Sequence, residues 1–145
     1  MGKLLYLVPV FLLVFLFGLL AFAAGTVTVT EHKLNPVKRV IFNWVADATG
    51  DVESTWTTSA FSGRITNFIT EPAIGSASPD ANYDIMLKNS FGYDVLKGGG
   101  GNRSQTATQY IADTTFIPLA GDRLILSVTH AGTVGAGTAM IYIEP

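Results

Sequence analysis

The chain has 145 residues with nine Lys or Arg, eleven Asp or Glu and two His, for a formal net charge of −2. The charges are few and interspersed, so there is no basic stripe to neutralise phosphates, and a nucleic-acid partner is not expected. There is no Cys, which excludes disulfide staples, thiol nucleophiles, CxxC redox pairs, cysteine-based zinc sites and c-type haem attachment.

Lys3 is followed by an apolar run from Leu4 to Ala24, and no further charge appears before Glu31. The run ends in Ala21-Phe22-Ala23, the small-x-small pattern of a signal-peptidase site. It is also long enough to span a bilayer, which takes roughly 17–25 residues. Pro9 and Gly18 are tolerated in a membrane helix. Residues 1–24 are therefore read as a signal peptide or a transmembrane helix. Either way Lys3 favours the N-terminus inside and delivers residues 25–145 to the periplasm, cell surface or exterior. If the leader is uncleaved, the membrane is a partner through residues 4–24.

Beyond the leader the apolar period is two, the spacing of a half-buried strand. Thr26-Val27-Thr28-Val29-Thr30 alternates polar and apolar as an edge strand does. After a turn at Asn35-Pro36, the run 37–46 puts Val40, Phe42 and Trp44 on one face and Arg39, Ile41 and Asn43 on the other. Ala48 to Asp51 reads as a hairpin turn, with a return strand from Val52 to Thr58. Ser62-Gly63 reads as a turn, and Arg64 to Thr70 as a strand with Ile65 and Ile69 at one parity. A loop over 71–81 precedes Tyr83, Ile85 and Leu87, which alternate with Asp84, Met86 and Lys88. A turn over 89–92 leads to a return over 93–96.

The stretch 97–109 holds four consecutive glycines. Thr114 to Leu119 is expected as a short edge strand, because Pro118 cannot donate to a ladder. Ala120-Gly121-Asp122 reads as a turn. Leu124, Leu126 and Val128 then alternate with Arg123, Ile125, Ser127 and Thr129, and after a small-residue loop over 131–137 Ala139, Ile141 and Ile143 oppose Met140 and Tyr142. About eight short strands without a helical pattern predict an all-β domain, an antiparallel β-sandwich of jelly-roll or immunoglobulin type.

Few residues in the pattern point to chemistry. Asp80-Ala81-Asn82-Tyr83-Asp84 opens like a calcium loop, yet Ile85 stands where the turn glycine belongs and Phe91 where the bidentate Glu belongs. Gly98 to Ser104 superficially resembles a phosphate cradle, but Asn102-Arg103 replaces the Gly-Lys of a P-loop. His32 and His130 stand apart from one another, with no Gly-x-Ser-x-Gly elbow. A hydrolase would need one of them beside a carboxylate in a cleft. No catalytic residue, cofactor or metal ligand is assigned.

The strand and turn residues Tyr83-Asp84-Ile85, Gly92-Tyr93-Asp94-Val95-Leu96, the glycine run with Asn102-Arg103, and Leu124 to Gly132 closing in Ile141-Tyr142-Ile143 form a recognisable set. With Thr28 to His32 and Val37 to Val40, they resemble small uncharacterised bacteriophage and prophage proteins regarded as virion structural or decoration proteins. The resemblance implies a non-enzymatic structural subunit with homo-oligomeric or virion partners. It carries over no functional residues. Exposed edges suited to self-association are expected at Thr26, Val27, Thr28, Val29 and Thr30, and at Met140 and Tyr142 in the last strand. A glycan- or protein-binding module is the alternative, using Trp56, Tyr83, Tyr93 and Tyr110 with the loops at 71–81 and 97–109. A pilin-like filament with the apolar helices at its centre is the other.

Overall fold

The computed structural model describes residues 24–112 and 115–145, and the leader lies outside them apart from Ala24. The described chain is all-β and every strand pairing is antiparallel. Its strands are β1 (Thr26–Lys33), β2 (Lys38–Val45), β3 (Val52–Glu53), β4 (Phe61–Pro72), β5 (Asp84–Lys88), β6 (Gln109–Ile111), β7 (Leu119–Asp122), β8 (Ile125–Thr129) and β9 (Ala136–Glu144). A short 3-10 turn, Gly75–Ala77, is the one helical element described.

A six-stranded sheet runs β1-β2-β9-β4-β6, with β7 pairing the start of β4, and a three-stranded sheet runs β3-β8-β5. Backbone bonds extend the smaller sheet past β5, where Val95 N donates to Leu87 O at 2.8 Å and Lys88 bridges to Asp94. The pairings are nested in sequence. β2 pairs β9, β3 pairs β8, β4 pairs β7, and β5 pairs the return over 93–96.

The two sheets share one core, as alternating strands require when both bury a face. Val40, Phe42 and Trp44 of β2 and Ala139, Ile141 and Ile143 of β9 are buried opposite Ile85 and Leu87 of β5 and Leu126 and Val128 of β8. Trp44 and Tyr83 bridge the layers, with ring centroids 5.4 Å apart. Trp44 packs against Gly137, where an added Cβ would come within 2.8 Å of its ring.

Several sequence expectations are corrected. The turn over 48–50 is not a hairpin, because β2 and β3 belong to different sheets and the chain crosses between layers there. Ser62-Gly63 is not a turn but lies within β4. Gly63 is needed because a Cβ would fall 2.0 Å from Glu144 O. Ile65 and Ile69 do not share a face, since the register of β4 against β9 slips at Thr66, so Ile65 is buried while Ile69 faces outward. The strand expected from Thr114 begins outside the described residues, and within them it starts only at Leu119. Ala120 to Asp122 is drawn into that strand by pairing with Phe61 and Ser62. β9 is not an edge, because it lies between β2 and β4.

Candidate functional site

The sheet leaves one long margin open. β1 pairs β2 along all eight of its residues, and nothing described pairs its other side. Thr26, Thr28 and Thr30 are exposed, while Val27 and Val29 rest against the core. The strand has no proline, glycine or bulge, and its only charges gather at Glu31, His32 and Lys33. Natural edges are usually blunted by such devices. The inner face of β1 is fixed by Glu31, whose carboxylate accepts Thr58 Oγ1 at 2.8 Å and Ser59 N at 3.1 Å. Burial pushes its pKa up, but these bonds outweigh burial and hold it below the usual range.

The other margins are short or covered. β3 and β6 are two and three residues long. The edge of β5 is closed by the glycine-rich loop, where Ile85 N donates to Gly100 O at 2.8 Å and Arg103 N to Tyr83 O at 2.7 Å. A Cβ on Gly100 would sit 2.0 Å from Ile85 O, so only glycine allows this approach. The loop's amides are already engaged by carboxylates. Asp94 accepts Leu96 N at 3.1 Å and Gly98 N at 2.7 Å, and Asp84 accepts Asn102 N at 2.8 Å. Carboxylates therefore stand where a bound phosphate would in a P-loop. The pairing of Asp94 with Gly98, four residues on, is the sequence signal that this run is a packed turn.

The outer face of the large sheet carries one apolar row between polar ones. Register aligns Thr30, Ile41, Met140, Ile69 and Tyr110 in one row across five strands. Ile41, Met140 and Ile69 are only partly buried, and Tyr110 is 76% exposed. The row on one side contains Thr28, Asn43, Thr138 and Glu71, with Thr138 Oγ1 donating to Asn43 Oδ1 at 2.9 Å. The row on the other side contains His32, Arg39, Tyr142 and Asn67.

Thr26 to Thr30 are thus on an edge, as the alternation suggests. Met140 and Tyr142 are not: they stand on the outer face of a central strand, where their backbone groups are already paired and cannot accept another strand. Tyr83 is also corrected. It is wholly buried against Trp44 and cannot serve as a binding aromatic. Trp56 and Tyr93 are 43% and 66% exposed and belong with the smaller sheet, away from Tyr110. Phe91, 80% exposed at the tip of the turn after β5, was missed by reading that turn as connection only. Asn89 holds this tip rigid by accepting Phe91 N at 3.1 Å and Tyr93 N at 3.0 Å. Arg123 N donates to Ser90 Oγ, and Thr57 N to Leu124 O, so Trp56 and the Phe91 turn flank the same end of β8.

The remaining candidates do not converge. Asp84 faces His130 Nδ1 at 3.3 Å as well as Asn102, and the Asp80 carboxylate lies where a Cβ of Gly132 would be. Among the described residues no three acidic or histidine side chains gather as metal ligands. His130 does stand beside a carboxylate, but its side chain is 77% exposed rather than set in a cleft. His32 lies at the end of β1, opposite Arg39. Among the described residues no helix is long and apolar enough to cross a membrane. No family model, curated protein or solved structure matches the chain.

Proposed function

We propose that the protein is a non-enzymatic structural subunit of a virion or surface assembly, exported or membrane-tethered through residues 1–24, with a jelly-roll β-sandwich as its body. The observation that carries this reading is β1, a regular eight-residue edge strand that follows directly on the leader, has no proline or bulge, and carries no charge over Thr26 to Thr30. A strand from a neighbouring copy can add there by backbone hydrogen bonding. The nested pairing supports the jelly roll, a chain folded as one long hairpin and rolled into two layers. Viral capsid domains use this architecture, and lectins use it too, so the fold supports the assembly reading by analogy only. The partners are other copies of the chain or further virion components.

The test is proline in β1. Successive N–H groups of an antiparallel edge point alternately to the partner strand and to solvent. Of Thr28→Pro and Val29→Pro, one therefore spares the β1–β2 ladder and blocks addition from outside. That variant is expected to fold normally and to reduce particle size in light scattering of material from the native host. Particles of unchanged size from both variants would overturn edge-mediated assembly. The second reading, a glycan- or protein-binding module, is favoured by the grouping of Trp56 with the rigid Phe91 and Tyr93 turn at one end of the small sheet.

A further inference from the structure

The outer face of the large sheet has an apolar centre that no described residue packs over. The row Ile41, Met140 and Ile69 runs through its centre, where a sheet facing only water carries polar side chains. Two charges flank that row and are unpaired. Among the described residues Arg39 and Glu71 make no ion pair, and Arg39 Nε is shut from solvent without a hydrogen-bond acceptor.

Their placement is symmetric about one residue. Arg39 on β2 pairs with Tyr142, two residues beyond Met140 on β9, and Glu71 on β4 pairs with Thr138, two residues before it. Each is thus one strand and two residues from Met140, in opposite directions. A two-fold axis lying in this face, through Met140 and at right angles to the line from Arg39 to Glu71, exchanges the two positions. Two sheets packed about that axis place each Arg39 against Glu71 of the other copy, with Met140 and the isoleucines between them.

We propose that the outer face of the β1-β2-β9-β4 sheet is an isologous dimer interface, occupied by the same face of a second copy and closed by two reciprocal Arg39–Glu71 ion pairs around Met140. This rests on the assembly reading and names a second contact within it, distinct from the β1 edge. Charge complementarity and the apolar centre select a second copy over an unrelated partner, because an isologous interface must complement itself.

The experiment measures the mass of the full chain by analytical ultracentrifugation, in detergent if the leader is retained, for wild type, Arg39→Glu, Glu71→Arg and the double variant. A dimer is expected for wild type. Each single reversal should weaken self-association by at least about tenfold, and the double variant should restore it. Glu71 is exposed, so Glu71→Arg stands in should Arg39→Glu fail to fold. Single reversals that leave the mass unchanged, or a double variant no better than the singles, would overturn the proposal. So would a monomer in which a Cys placed at Met140 is shielded from maleimide by its own leader. The β1 proline variants separate the two ideas. If they shrink the native particle while the charge reversals do nothing, assembly stands and the face interface falls.

Discussion

Tyr83 shows how a single buried hydroxyl sets a testable balance. Its ring fills the space between the layers against Trp44, yet its hydroxyl makes no hydrogen bond of regular geometry, and the Thr70 hydroxyl near it is equally unpartnered. Burial pushes the phenol pKa from 10.0 up to about 12, with the Arg103 charge and Thr70 pulling part of the way back. A folded-state value above the unfolded one means that this residue's contribution is complete below pH 10 and is lost as pH rises toward 12. Tyr83→Phe removes a polar group that gains no bond and keeps the ring. Urea unfolding at pH 7 should show stability unchanged or raised by about 1 kcal/mol. The variant should also lose the wild type's extra sensitivity between pH 10 and 12. A loss of stability at pH 7 would mean that the hydroxyl has a partner after all.

At the scale of the element, β4 depends on one extra residue. The slip at Thr66 lets Ile65 and Phe68 both point into the core although they are three positions apart. Deleting Thr66 would remove the bulge and leave Ile65 opposite Ile143 and Asn67 opposite Tyr142, so both halves of the strand would keep their faces. Deleting Thr66 and Asn67 together would turn one half over, because a one-residue shift moves every side chain to the other face. The single deletion should therefore unfold near the wild-type midpoint, while the double deletion, by burying Arg64 in place of Ile65 or exposing Phe68, should cost about 3 kcal/mol or more in thermal or urea unfolding. An unchanged midpoint in the double deletion, or a large loss in the single one, would contradict this register. The same residue explains where the sequence was readable. Alternation correctly assigned the faces of β2, β5, β8 and β9, since each is regular. It failed on Ile69 because a bulge leaves no mark in composition. Alternation also says which side of a strand is buried but not which sheet the strand joins, so the crossing after β2 looked like a hairpin. The central place of β9, and with it the roles of Met140 and Tyr142, was hidden for the same reason. Tyr83 alternated properly with its neighbours, and its parity with Ile85 and Leu87 was the available sign that it lay inside.

At the scale of the whole molecule, the pairing order makes the fold non-local. Lys38 pairs with Ile143, so strands near opposite ends of the domain lie side by side. Such topologies fold slowly, in roughly milliseconds to seconds, because distant segments must meet before their contacts stabilise anything. Removing residues 136–145 takes away the strand that joins β2 to β4. The shortened chain should show no cooperative transition by circular dichroism, and a sharp melt would contradict this account. The nesting also bears on delivery. A chain that crosses a bilayer N-terminus first emerges with β2, β3 and β4 long before their partners, and its last strand completes the large sheet. If the chain is exported as proposed, the same delay holds off premature folding on the near side until its final residues have been made.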